Sequence, residues 1–338
     1  MSEQDTSLPV VAVLLPASVR QQVVPPDAEA HLATFARVRY PAGDTLTAAE
    51  VLTLLDGAAA CLTGWRTPSL AGILRDEPSV RFVAHTAGSV RHLVPDDLHA
   101  RGIRLSQAAA MIADAVAEFA VAQMLLCLRH LHTADRALHA GGWHDDPERF
   151  REGGLLGNKT VGIVGVGRVG RDVIHLLRAF GSAILVYDPM LAPEDAARLG
   201  AEPVALDALM GRSDIVTLHA PVLPQTERMI TRAHFARMRD GAVFVNAGRA
   251  ILTDEDALYD ELTSGRISAA LDVFDTEPLP PDSRWRTVPN ALITPHIAGH
   301  TRDTHLAQGR AMIEEIRRFL HSEPLLYEVT AAMLPVIA

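Results

Sequence analysis

A glycine-rich loop between an apolar run and an amphipathic run is the feature that most limits how this chain of 338 residues can fold. Residues 165–170 read GVGRVG and follow directly on the apolar residues 161–164, which read VGIV. Residues 168–180 then have the apolar spacing of a helix. A GxGxxG loop that joins a strand to a helix is typical of the first turn of a doubly wound dinucleotide-binding sheet. We therefore predict a parallel α/β fold around this loop.

Each glycine of such a loop has its own physical task. Gly165 makes the tight turn, Gly167 lets the backbone approach a pyrophosphate, and Gly170 lets the helix pack closely on the strand. Arg168 and Val169 stand at the start of the helix, where the N–H groups and the helix dipole favour phosphate. We predict that all five residues contact the cofactor.

Asp188 ends the next apolar strand, eighteen residues beyond Gly170. An acidic residue about 20 residues past such a loop binds the hydroxyls of the adenosine ribose. A carboxylate there repels a 2′-phosphate, so the sequence predicts NAD rather than NADP as the cofactor. The alternative is an ordinary aspartate at the end of a strand.

Short apolar runs alternate with helical patterns along most of the chain, which indicates parallel sheets covered by helices. Before the loop we predict a helix at 48–55 and strands at 10–15, 58–62 and 80–84. From residue 160 onward we predict six strands, at 161–164, 184–187, 215–218, 243–246, 269–273 and 291–293. Other expected segments are a long helix from 111 to about 138, a surface loop at 141–157 and a last helix from 301 to about 321.

Charge and cysteine content exclude several classes of protein. The 31 basic and 41 acidic residues leave a net charge of −10, which disfavours nucleic acid and anionic membranes as partners. Cys61 and Cys127 are far apart and lack a metal-binding spacing, so we expect buried free thiols in a reducing compartment and no metal.

The chain also lacks the sequence signs of export or membrane insertion. Its first residues have no basic region followed by a long apolar one. Asp114 and Glu118 interrupt the best apolar run, so we expect no membrane-spanning segment. We predict a cytoplasmic protein.

Three further segments follow predicted strands: residues 246–249 (NAGR), 271–278 (LDVFDTEP) and 294–299 (TPHIAG). They supply an arginine, a glutamate and a histidine. Histidine can exchange a proton with a bound ligand near neutral pH. A glutamate on the far ring nitrogen fixes the tautomer, and the planar fork of arginine fits a carboxylate.

Together with the glycine loop, these segments resemble the D-isomer-specific 2-hydroxyacid dehydrogenases, over about residues 80–301. The resemblance implies that Arg249, Glu277 and His296 are catalytic and that Arg249 also binds the substrate carboxylate. It implies backbone contacts to that carboxylate from Gly88 and Ser89. Further expected cofactor contacts are His219, Ala220, Pro221, Ala247, Asp272 and Gly299.

The implied fold has a Rossmann-type NAD domain at 108–300, inserted into a smaller flavodoxin-like substrate domain at 1–107 and 301–338. The resemblance also implies a homodimer formed through the helix after Met111. Residues 90–92 (VRH) depart from the family pattern beside the substrate loop, which leaves the substrate's identity open. The roles of Trp65, Trp143 and His300 stay open as well.

The favoured function is an NAD-dependent dehydrogenase that acts on a small D-2-hydroxy acid or 2-keto acid. The NAD-linked formate dehydrogenases are one alternative, but they carry glutamine at the position of Glu277. The other is an NAD-sensing, corepressor-like binding protein of the same fold, because such proteins retain a similar triad.

Overall fold

The computed structural model describes residues 8–75, 78–90, 93–143 and 153–334. The chain divides into two compact units. Unit 1 comprises Met1–Ile112 and His300–Ala338, and unit 2 is the continuous segment Ala113–Gly299 that lies between them in sequence. Our sequence-based boundaries, at 107/108 and 300/301, differ from this division by five residues and by one.

The strands of the described residues are β1 Val10–Val13, β2 Arg37–Arg39, β3 Ala60–Thr63, β4 Phe82–His85, β5 Arg104–Gln107, β6 Thr160–Val164, β7 Ala183–Tyr187, β8 Glu202–Pro203, β9 Ile215–Leu218, β10 Val243–Asn246, β11 Ser268–Leu271 and β12 Ala291–Ile293.

The α-helices of the same residues are α1 Ala17–Val23, α2 Pro26–Phe35, α3 Ala48–Leu55, α4 Ala113–Leu128, α5 Leu131–His139, α6 Arg168–Phe180, α7 Pro193–Leu199, α8 Leu206–Arg212, α9 Arg232–Arg237, α10 Glu255–Thr263 and α11 Arg302–Leu320.

Unit 1 is built on a parallel sheet of order β2-β1-β3-β4-β5. This is the flavodoxin-like order, with the chain turning back between β1 and β3. Buried apolar clusters cover both faces of the sheet. Helix α11 packs on α1 and β4, and it begins at a capping box in which the Thr301 hydroxyl accepts a bond from the Thr304 N–H at 3.0 Å.

Two strands of unit 1 are missing from the sequence prediction. Both β2 and β5 lie at the sheet edges and carry arginines, so neither has the apolar run by which a buried strand is recognised. In β5, Arg104 forms a bidentate bond with Glu328 at 2.6 and 2.9 Å. The predicted positions of β3 and β4 are one or two residues too early, because Ala58 and Val80 are buried before their strands begin.

Unit 2 is built on a larger parallel sheet of order β12-β11-β10-β9-β6-β7-β8. The chain reverses its direction across the sheet between β6 and β9, as in a Rossmann fold, where ligands bind beyond the carboxyl ends of the strands. All six predicted strands are present, and β8 is an additional two-residue edge strand. The predicted fold class is therefore confirmed.

The prediction of one long helix from 111 to about 138 is wrong, because the structure has two shorter helices in this region. Helix α4 ends at Leu128, His130 has a left-handed φ of 50°, and α5 begins at Leu131. A left-handed residue cannot continue a right-handed helix. Of the expected surface loop, residues 144–152 lie outside the described part of the chain, and Leu156–Asn158 form a short 3-10 helix.

The expectation that no apolar run could cross a membrane is also wrong on length and composition. Among the described residues, Ala108–Leu128 forms one helical stretch long and apolar enough, with a mean hydropathy of 1.8. Half of that stretch is buried in the folded chain, and α4 packs on α6, β10 and β11. The buried apolar side chains of α4 therefore belong to the core of unit 2. A core helix of this kind can be as long and as apolar as a membrane-spanning helix.

Candidate active site

The glycine loop follows β6 and opens α6. Gly165 has a φ of 93°, and a Cβ there would lie 2.5 Å from the backbone nitrogen of Ala220. A Cβ on Gly170 would lie 2.2 Å from the Gly165 carbonyl oxygen, whereas one on Gly167 would meet nothing within 4 Å. Side chains are thus excluded at the first and third glycines, and open space lies at the second. This cradle fits a pyrophosphate held by backbone N–H groups.

Asp188 follows β7 and lies beside the loop. One of its carboxylate oxygens accepts a hydrogen bond from the backbone N–H of Val166 at 2.8 Å, and the other accepts from Met190 at 2.8 Å. The structure therefore brings the predicted ribose-binding residue and the glycine loop together.

The segment His219 to Pro221 follows β9 and packs against the same loop. The His219 backbone N–H donates to the Val164 carbonyl at 2.7 Å, and Ala220 is the residue that excludes a side chain at Gly165. The His219 ring bonds to the Thr217 hydroxyl at 2.9 Å. Burial lowers the pKa of His219 to about 4, so its imidazole is neutral at pH 7.

The three predicted catalytic residues follow three neighbouring strands of unit 2. Arg249 comes after β10, Glu277 after β11 and His296 after β12. The carboxyl ends of parallel neighbours meet at one edge of the sheet. There His296 Nδ1 lies 2.6 Å from Glu277 Oε2, and Glu277 Oε1 accepts the backbone N–H of Phe274 at 2.9 Å.

Arg249 lines the same cavity as this pair. Burial lowers the pKa of its guanidinium, and the negative charge of Glu277 opposes that shift. Its Nη1 donates to the Gly248 carbonyl at 2.8 Å, which uses one of five donors. The cavity measures about 530 Å³ and is lined by Glu227, Arg228, Arg249, Ala250, Ile251, Val273, Phe274, Asp275, Glu277 and His296.

Asn246 supports the arginine, a role that our sequence analysis missed. Its side-chain oxygen accepts the Gly248 N–H at 3.0 Å, and its side-chain nitrogen donates to the Arg249 carbonyl at 3.1 Å. An asparagine at the end of a strand often accepts the backbone N–H of the residue two positions on, and this turn signal could have indicated the role of Asn246.

The backbone of His296 is held in an unusual conformation, with φ of 54°. Its N–H donates to the Asp272 carbonyl at 2.8 Å. The fully buried Asp272 carboxylate accepts the N–H groups of Ile297 and Ala298 at 2.9 and 2.8 Å and the Thr294 hydroxyl at 2.6 Å. We expected Asp272 to face the nicotinamide. In the structure its carboxylate accepts three hydrogen bonds from the loop that carries His296.

Of the remaining predicted residues, Ala247 is buried after β10 and Gly299 ends unit 2. Gly88 and Ser89 belong to unit 1, where they follow β4; a Cβ on Gly88 would lie 3.2 Å from the Ile112 side chain. Residues 90–92 are the ones that depart from the family pattern, and two of them, Arg91 and His92, lie outside the described part of the chain.

The structure gives a setting for the three residues whose roles the sequence left open. In unit 1, the rings of Trp65 and His300 stack with centroids 5.1 Å apart, and both contact the His305 ring. Trp143 in unit 2 is 67% exposed.

Comparison with known proteins fits this geometry. Residues 121–298 match the NAD binding domain of the D-isomer specific 2-hydroxyacid dehydrogenases. A hydroxypyruvate reductase of Thermotoga maritima is 34% identical over 253 residues, 74% of this chain and 81% of that protein. The solved D-mandelate dehydrogenase of Rhodotorula graminis superposes with a TM-score of 0.82 at 25% identity, covering 95% of this chain and 97% of that one.

A D-3-phosphoglycerate dehydrogenase of Archaeoglobus fulgidus is 34% identical over 248 residues, 73% of this chain but 46% of that protein. The chain spans about half the length of the phosphoglycerate dehydrogenases that it matches. Residues 121–298 are an NAD-binding domain, and the chain belongs to the family of D-isomer specific 2-hydroxyacid dehydrogenases.

Proposed function

We propose that this protein is an NAD-dependent dehydrogenase that transfers a hydride between NAD(H) and C2 of a small D-2-hydroxy acid or 2-keto acid. The observation that carries the proposal is the 2.6 Å bond between His296 and Glu277 in a cavity that also holds Arg249. These three groups together can bind a carboxylate and exchange a proton.

In the direction of reduction, bound NADH supplies the hydride that reaches C2 of the keto acid. Arg249 binds the substrate carboxylate with its forked donors and polarises the adjacent carbonyl. As C2 gains the hydride, its oxygen takes the proton from His296, which ends neutral. Glu277 holds the other ring nitrogen, orients the ring and stabilises the imidazolium that exists before transfer. Oxidation of the hydroxy acid reverses each step.

The other predicted contacts complete this proposal. Asp188 binds the adenosine ribose, and Gly165, Gly167, Arg168, Val169 and Gly170 receive the pyrophosphate. Asp272, Ala247 and Gly299 serve the nicotinamide side, and His219, Ala220 and Pro221 the adenine side. The backbone of Gly88 and Ser89 holds the substrate carboxylate, which makes unit 1 the substrate domain.

We further propose a cytoplasmic homodimer whose ligands are small molecules, with neither nucleic acid nor membrane as a partner. The net charge of −10 disfavours nucleic acid and anionic membranes as partners. The burial of α4 in the core of unit 2 supports a protein without a membrane-spanning helix. Dimer formation through the region after Met111 is supported by Leu131 and Leu138 of α5, which are exposed. Sedimentation at micromolar concentration should give twice the mass of the chain, and a monomer there would refute the dimer.

The substrate is tested by NADH oxidation with a panel of 2-keto acids: glyoxylate, hydroxypyruvate, phosphohydroxypyruvate, pyruvate and bulkier branched or aromatic acids. We expect turnover with at least one of them and much weaker turnover with NADPH. NADH binding without oxidation of NADH by any acid would contradict the enzyme proposal and favour a binding protein of the same fold.

A further inference from the structure

Asp188 has contacts that binding a ribose does not require. We propose that its carboxylate also holds the glycine loop in the shape that receives the pyrophosphate, so that removing this charge cannot by itself convert the protein from NAD to NADP. The proposal rests on NAD binding by this domain and not on the proposed reaction.

The contact with the loop is made at its most constrained point. Val166 stands between Gly165, whose φ is 93°, and Gly167, the glycine with open space around it. Val166 is buried, and its N–H donates to Asp188 Oδ2 at 2.8 Å. The neighbouring N–H of Gly165 donates to the Tyr187 carbonyl at 2.9 Å. A buried N–H without an acceptor is strongly penalised, so the loop depends on this carboxylate.

The second oxygen fixes Asp188 itself. Oδ1 accepts the Met190 N–H at 2.8 Å, and the Asp188 carbonyl accepts the Leu191 N–H at 3.2 Å. An aspartate that bonds the backbone two residues on forms a rigid local turn. The carboxylate is thus tied to its own strand end on one side and to the glycine loop on the other.

Both tasks fit one carboxylate. An ionised aspartate offers about four acceptor sites, and the two backbone bonds use two of them. Two sites remain, one for each hydroxyl of a ribose. Asparagine keeps the shape but has a single acceptor oxygen, so it cannot accept from Val166 and Met190 through different atoms. Alanine accepts from neither.

The experiment compares Asp188→Ala and Asp188→Asn with the parent protein. Asp195→Ala is the matched control, because Asp195 is a partly exposed carboxylate on α7 whose partner is Arg198. Two quantities are measured: the dissociation constants of NADH and NADPH, by cofactor fluorescence, and hydrogen exchange of the individual backbone amides of residues 161–170, including Val166, without cofactor.

In Asp188→Ala we expect NADH affinity to fall by about 10- to 100-fold, as for loss of hydrogen bonds to a charged group. NADPH should bind no more tightly than NADH does in the same variant, and the Val166 amide should exchange at least about tenfold faster. In Asp188→Asn the Val166 amide should exchange at a rate between those in the parent and in the alanine variant. Asp195→Ala should match the parent in every measurement.

An alanine variant that binds NADPH as tightly as the parent binds NADH, with unchanged exchange at Val166, would overturn the proposal. Faster exchange along the whole chain of the alanine variant would indicate general unfolding, and the asparagine variant is then the one that tests the proposal. If residues 161–170 of the asparagine variant exchange at the parental rate, the proposal is overturned as well. If the parent itself binds neither cofactor, the failure lies with NAD binding and not with the role of Asp188.

Discussion

Each unit has a histidine at the carboxyl edge of its own parallel sheet, yet the surroundings of the two histidines differ. His296 of unit 2 is 45% exposed and bonds to a carboxylate. His85 ends β4 of unit 1, is 4% exposed, and its Nδ1 bonds to the Thr63 hydroxyl at 3.0 Å. The two histidines therefore differ in burial and in the charge of their partners although each lies at the end of a strand.

The surroundings of His85 explain why it is unsuited to proton exchange near neutral pH. Burial lowers its pKa to about 4, and a bond to the backbone of Ser89 opposes the shift only in part. Thr86 donates to the Thr63 carbonyl at 3.0 Å, so the polar groups at this edge of unit 1 satisfy one another. We interpret His85 as a neutral residue that supports the segment carrying Gly88 and Ser89.

The largest expected effect separates the two histidines by activity. His296→Ala should lower kcat by about 10²- to 10⁴-fold, since it removes the proton donor. Binding of NADH should stay within about twofold of the parent, because the change lies outside the pyrophosphate cradle. The measurements are steady-state kinetics and NADH fluorescence titration.

The matched control for that prediction is His175→Ala, because His175 is an exposed histidine of α6 in the same unit. It should keep parental turnover. Retention of more than about a third of the activity in His296→Ala would contradict the assigned role, since it leaves almost no barrier for the histidine to lower.

A smaller effect separates the two histidines by stability. The folded protein keeps His85 neutral to about pH 4, whereas an unfolded histidine takes up a proton near pH 6.5. The unfolded state therefore binds more protons in this window, and stability falls as the pH is lowered through it. Between about pH 7.5 and about pH 5 this group should cost about 2 kcal/mol of unfolding free energy.

The measurement compares His85→Gln with the parent by denaturant unfolding at both pH values. Glutamine does not titrate, so the variant should lose about 2 kcal/mol less than the parent over that interval. His219, whose folded pKa is also lowered to about 4, is common to both proteins and cancels in the difference. Equal losses would show that His85 is not held neutral in the folded state.

The residues that gather at the candidate site of unit 2 could be predicted from the sequence because each of them belongs to a short local motif. The glycine loop, Asp188 and the segments that carry Arg249, Glu277 and His296 each occupy a few consecutive residues at the end of an apolar strand. The fold orders those strands in a way that the alternation of strands and helices already implies. The sequence alone therefore predicts which residues gather at the carboxyl edge of this sheet.

Other features depend on contacts between distant residues and could not be predicted. The break at His130 follows no proline or glycine, the usual signals for the end of a helix. The Thr63–His85 bond joins residues 22 apart in sequence, and neither residue belongs to a motif. Asp272 matched a cofactor-binding position, but three of its bonds go to the loop around His296, which only the structure reveals.

The proposed function requires that unit 2 directs a stereospecific hydride transfer on 2-hydroxy acids. The most direct measurement is NAD reduction with the two enantiomers of the hydroxy acid that corresponds to the best keto acid of the panel. We predict that the D enantiomer is oxidised and that the L enantiomer is not. Oxidation of the L enantiomer at a comparable rate, or of neither enantiomer, would contradict this account.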